Sequence, residues 1–218
     1  MSKENTLSAL LIVLMIQLFT SALASLGGII IGLAADLVFL LILLAALHAM
    51  THHWFPKMLF SFLTVMAMIT HTMWIGFGVR SLAGWDFIFT TLAVLGMLLA
   101  TISMVYRDGP VTSHRIRGAM AAYLLISVVY AKTYALIYYF SPEAFTVVAT
   151  GGRFIPQITR DFLYFSVVTL TTVGFGDFTA VHPIARSLVM TEAFIGQLYP
   201  AVLLARLVSL SLISRSEE

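Results

Sequence analysis

Formal charges are absent over residues 5–35, 37–56, 58–79 and 87–106 of this chain, and this decides what surrounds it. A helix crossing a bilayer needs about 20 apolar residues at ~1.5 Å of rise each. The last three runs each suit one crossing. The first is too long for one, and Ser25-Leu26-Gly27-Gly28 is a natural break within it. Composition agrees: 60% of residues are hydrophobic and 10% charged, with a mean hydropathy of +0.99. Soluble domains hold about 45–50% apolar and about 25% charged residues. A net charge of +2 is too small to imply a nucleic-acid partner. With no cysteine in the sequence, disulfides, thiolate metal sites and cysteine catalysis are excluded.

The expected fold is an all-α membrane protein with six transmembrane helices, at 7–24, 28–49, 56–78, 86–106, 118–140 and 184–208. Residues 141–183 differ from these runs. They are less apolar and carry Gly151, Gly152, Gly174 and Gly176. Ser141-Pro142-Glu143 has the form of a helix start, with a capping hydroxyl, a proline and an acid in the first turn. Thr159-Arg160-Asp161 is a second such start. It opens an apolar stretch, 162–171, too short to cross, and so predicts a re-entrant helix. Irregular backbone at membrane depth survives only when buried in protein or lining water.

Basic residues orient the chain. With the N-terminus inside, Lys3, Lys57, Arg107, Arg115, Arg117, Arg206 and Arg215 face the cytoplasm, and Arg80, Arg153, Arg160 and Arg186 face out. The excess favours both termini inside the cell, and a cell (inner) membrane is the expected location. Membrane lipids are then partners, and the basic 107–117 linker could meet anionic headgroups. A rival reading takes Lys3, the apolar run and Ala22-Leu23-Ala24 as a signal peptide; a mature N-terminus at Ser25 would establish it.

Thr171-Thr172-Val173-Gly174-Phe175-Gly176-Asp177 follows the short helix directly. Here the sequence resembles the potassium channel superfamily, whose filter reads T-V-G-Y/F-G-D. The likeness extends over Tyr164-Phe165-Ser166-Val167-Val168-Thr169-Leu170 as a pore helix and into the last crossing. It implies a tetrameric pore, a homotetramer conducting K+ passively. Backbone carbonyls of Thr172, Val173, Gly174 and Phe175, with the Thr172 hydroxyl, would hold the permeant ion in place of water. Aiming successive carbonyls at one axis requires positive φ at some residues, which Gly174 and Gly176 supply cheaply. Phe175 lacks the hydroxyl that commonly ties this strand to the pore helix. Tyr164 stands where many relatives have tryptophan, so a Tyr164–Asp177 bond is the expected substitute. The filter is then held more by packing than by hydrogen bonds.

The last helix contains Gly196-Gln197-Leu198-Tyr199-Pro200. Proline frees the carbonyl four residues back, that of Gly196, which gives either a hinge or a fixed kink. Gln197, Ala201 and Leu204 are candidate cavity or gate residues by helical spacing. Asp36, His71, Lys132 and Glu192 all fall about 10–12 Å below the outer surface by helical rise, where charges need partners. Lys132–Glu192 and Asp36–His71 are the expected pairs, as a structural layer or as a pH sensor.

Two units follow: residues 1–110, a bundle of four helices, and 111–218, the pore domain. The fourth helix lacks the basic residues that voltage sensing requires, so the bundle is expected to have no such function. No cofactor and no cytosolic ligand-binding domain are expected. A weakly selective cation channel is the alternative within transport. A membrane di-iron oxidase is the alternative outside it, since His48-x-x-x-His52-His53 imitates one histidine box. That chemistry needs several boxes. His71, His114 and His182 are scattered, and His48, His52 and His53 also suit an interfacial cap beside Trp54.

Overall fold

The computed structural model describes residues 7–19, 36, 37, 39, 40, 43, 54–106, 112–147 and 155–216. Expectations for the break at 25–28, for Ala22-Leu23-Ala24, for His48, His52 and His53, and for Gly151 and Gly152 lie outside these residues. The described elements are almost all helical. They are α1 (Leu7–Phe19), α2 (Trp54–His71), α3 (Ala83–Val105), α4 (Ser113–Phe140), α5 (Ile155–Leu170) and α6 (Pro183–Ser216). Four helices among the described residues are long and apolar enough to cross a membrane: 57–76, 83–105, 113–140 and 183–206.

On α1, Leu7, Leu10 and Leu14 are buried, while Ile12, Met15, Ile16 and Phe19 are exposed. The i, i+3, i+7 stripe meets the core, and the apolar outer face suits hydrocarbon rather than water. α2 continues through a π-helical turn, Thr72–Gly76, with His71 at the junction. The chain reverses at Gly78, whose φ is 74°, and returns as α3. α3 and α4 pack against each other, and Ala93, Val94 and Met97 of the one and Ala121, Ala122 and Leu125 of the other are buried in a shared core. Small residues at such positions let helix backbones approach closely.

Two helices extend past the expected limits. α4 begins at Ser113 rather than Gly118, and α6 continues to Ser216 rather than Val208. Charged side chains at helix ends can reach the interface, so Arg115, Arg117 and Arg206 do not stop their helices. The expected start at Thr159 is corrected: α5 opens at Ile155, placing Thr159-Arg160-Asp161 inside the helix. Ser141 caps no backbone N–H. Its hydroxyl donates to Glu143 at 2.5 Å and holds that exposed carboxyl below the ordinary glutamate range. A short antiparallel pair, β1 (Phe145–Val147) with β2 (Phe178–Ala180), ties the segment after α4 to the one after α5. At the other end of the molecule Arg206 donates to the Tyr106 carbonyl at 2.9 Å and lies 4.5 Å over its ring. It thereby binds α6 to the C-terminus of α3, where a cation is favoured.

Candidate functional site

α5 ends in a cap built by the residues that follow it. The last four carbonyls of a helix lack partners within it. Thr171 N–H donates to Val167 O at 3.0 Å, Thr172 N–H to Thr169 O at 2.9 Å, and Val173 N–H to Val168 O at 2.9 Å. The fourth, Leu170 O, accepts from the Tyr123 hydroxyl of α4 at 3.1 Å. Turning back so tightly sets Thr172 at φ 60°. A β-branched residue rarely adopts that region, at a cost of about 1–2 kcal/mol. The closed set of hydrogen bonds holds it there, as left-handed residues close other helix ends.

Residues 172–176 then run exposed, with Gly174 at φ 59° and Gly176 at φ 79°. Left-handed backbone at every second residue turns successive carbonyls toward one side, whereas an extended strand alternates them. Among the described residues none of the five carbonyls of Thr172, Val173, Gly174, Phe175 and Gly176 accepts a backbone hydrogen bond. Main-chain carbonyls are obligatory acceptors, so this exposed run is open to water, an ion or another chain. At its start Gln197 of α6 donates to the Thr172 hydroxyl oxygen at 2.9 Å.

Beyond Gly176 the strand is anchored. Asp177 accepts from the Phe178 N–H at 3.1 Å, and the Tyr164 hydroxyl lies near enough to Asp177 to feel its charge. Phe178 sits among rings: Phe165 at 5.9 Å, Phe162 at 6.2 Å and Tyr164 at 6.4 Å between centroids. Phe145 joins them 4.9 Å from Phe162. Packing thus dominates at this end. Tyr164 is 42% exposed, so an interaction of its hydroxyl with Asp177 is worth about 1 kcal/mol at most. Tyr164→Phe is expected to change open probability roughly fivefold in single-channel records, with assembly intact.

On α6, Pro200 lies inside the helix, and the Gly196 carbonyl it frees faces the Tyr123 hydroxyl at 3.5 Å. One hydroxyl therefore stands between two carbonyls, on α5 and α6. Gly196 is pressed against the Leu170 backbone, and Tyr199 donates to Ala119 O at 2.8 Å. Gln197, Ala201 and Leu204 fall on one exposed stripe.

The buried polar residues are partnered differently from the expectation. Lys132 and Glu192 form no pair. Tyr134 donates to Glu192 at 2.6 Å, and Ser166 bonds its other oxygen. Lys132 instead lines a cavity of about 50 Å³ with Gln17, Asp36, His71 and Asp86. Two residues along a helix is roughly 200° around it, so Lys132 and Tyr134 cannot face the same neighbour. Asp36 and His71 do meet, at 3.4 Å, and Asp86 of α3 completes the group 3.1 Å from the other ring nitrogen. Gln17 donates to Asp36 at 3.3 Å. Sequence reasoning missed Asp86, although a charge opening a helix beside an intramembrane histidine was the available signal. Asp86 is 1% exposed, and removing one partner of a buried ion pair costs about 3 kcal/mol or more. Asp86→Ala is expected to lower the thermal unfolding midpoint clearly, and Asp86→Asn less so. Among the described residues no group of His, Cys, Asp and Glu is arranged to hold a metal ion.

This arrangement pairs a capped short helix with an exposed carbonyl strand, between a preceding and a following long helix. Residues 125–211 match the family model described as Ion channel. This part of the chain is similar to an ion-channel domain. The matched residues begin within α4 and run through α5 and the carbonyl strand into α6. They are consistent with the potassium channel superfamily. No curated protein and no solved structure matches the chain.

Proposed function

We propose that four copies of this chain form a K+-selective channel that conducts passively across a cell membrane. The observation that carries this reading is the run of five consecutive carbonyls left without backbone partners, on a strand with left-handed residues at 172, 174 and 176. A dehydrated cation needs oxygens on all sides. One strand offers them on one side only, and four around an axis enclose the ion. The chain also leaves an apolar surface for such an assembly: Met190, Phe194, Leu198 and Val202 are exposed along α6. Thr172, Val173, Gly174 and Phe175 bind K+ through their carbonyls. Gln197 and Leu204 line the cavity and gate, and Gly196 with Pro200 form the bend. In this reading six helices cross the bilayer in each copy, with both termini in the cytoplasm.

The test is reconstitution in liposomes under opposed K+ and Na+ gradients. A reversal potential close to the K+ equilibrium value is the expected result. An intermediate value would assign a weakly selective cation channel, and the absence of current would overturn the reading.

A further inference from the structure

The contacts of Glu192 raise a question of proton count. Its side chain is 0% exposed and lies where α4, α5 and α6 meet. The Ser166 hydroxyl of α5 carries one proton and stands within bonding distance of two acceptors: Ser127 O of α4, at 2.8 Å, and Glu192 Oε1. With Glu192 ionised, one of these oxygens would face Ser166 with no proton between them. A buried carboxylate would also need a cation, and neither of the ion pairs among the described residues involves Glu192. The titratable groups that face it are Tyr134 and, more distantly, Tyr123, both on α4. From α5 its polar contact among the described residues is Ser166, and both tyrosines are neutral near pH 7.

A neutral acid resolves the count. Tyr134 donates to Oε2 at 2.6 Å, Glu192 donates from Oε1 to Ser166, and Ser166 donates to Ser127 O. Every proton then has one acceptor, and three helices are joined by one directed chain. We propose that Glu192 is held as the protonated acid and serves as a positioning residue. It fixes α5, and through it the carbonyl strand, against the helices before and after it. Ionisation at high pH removes the donor to Ser166, so the hydroxyl must abandon either Ser127 or Glu192, and α5 loosens. Glutamine reproduces the neutral acid, with an N–H toward Ser166 and a carbonyl toward Tyr134.

The experiment uses the full-length protein in liposomes and has two arms. Infrared spectra at neutral pH should show a carboxylic-acid C=O band that is missing from Glu192→Gln and fades only at alkaline pH. Absence of that band at neutral pH overturns the assignment. In the flux arm, which rests on the channel reading, wild-type K+ flux should fall at least fivefold as the band fades. Glu192→Gln should keep neutral-pH flux and flatten the profile. Glu192→Met, which leaves the Tyr134 hydroxyl without its acceptor and cuts Ser166 off from α6, should lose at least tenfold. If Met simply prevents folding, the Gln profile and the band decide. A Gln variant that conducts but retains the wild-type alkaline fall overturns the positioning role. A protein that shows the band yet passes no K+ keeps Glu192 protonated and overturns the channel reading instead.

Discussion

Gly174→Ala is expected to cut K+ flux at least tenfold and to remove discrimination against Na+. Gly174 stands at φ 59°, and an added Cβ would meet nothing within 4 Å. Within the chain, neighbouring atoms therefore do not oppose alanine. The backbone does, because a left-handed non-glycine residue costs about 1–2 kcal/mol in each copy. The cheapest relief is a rotation of φ, and that swings the adjoining carbonyls away from the common side. Gly78→Ala is the control. Its φ is 74° and its surroundings are equally open, yet it lies in the turn before α3. It should lose comparable stability and leave the K+/Na+ permeability ratio unchanged. Reversal potentials and unfolding midpoints measured on both variants separate the two effects. Equal loss of selectivity in both would refute the role given to the strand.

Gly196→Ala is expected to have the other large effect, for a different reason. A Cβ there would lie 2.0 Å from Leu170 O and 2.8 Å from Leu170 C. Both are backbone atoms at the capped end of α5, so α6 itself must move. Overpacking of this kind costs about 1–3 kcal/mol or more. The movement also separates the two carbonyls that Tyr123 spans. Gly96→Ala makes a useful contrast: its Cβ would fall 2.1 Å from Phe60 Cε1, the far end of a side chain that can turn aside. Thermal unfolding and liposome flux should show Gly196→Ala losing both stability and conduction. Gly96→Ala should lose some stability and keep conduction. Normal flux in Gly196→Ala would mean that contact between α5 and α6 is not required to conduct.

How legible this was depended on the kind of interaction. Uncharged runs located α2 and α3, and apolar runs broken by few charges located α4 and α6, because helix length and hydrocarbon thickness impose the same scale on the sequence. The glycines at 174 and 176 could be read as left-handed positions because few other residues tolerate them. Thr172 could not, since its φ comes from the hydrogen bonds that close α5 rather than from its own preference. Pairing failed where charge alone was used. Lys132 and Glu192 suit each other electrostatically but occupy different faces, and the actual partners of Glu192 are hydroxyls, which leave no charge pattern. Asp86 reads as a helix start in the sequence, and α3 opens three residues before it. Its second task, opposite His71, appears only when α2 and α3 fold together. Tyr123 likewise looked like one more aromatic in an apolar run, because bridging two carbonyls 26 residues apart in sequence, Leu170 O and Gly196 O, is a property of packing.

The most direct test of ion coordination by this strand is diffraction from the assembled protein soaked with thallium, a heavy substitute for K+. Anomalous peaks spaced along one symmetry axis, each ringed by carbonyl oxygens from residues 172–175 of four chains, are the expected result. Strands that stay apart, or peaks that avoid those oxygens, would contradict it.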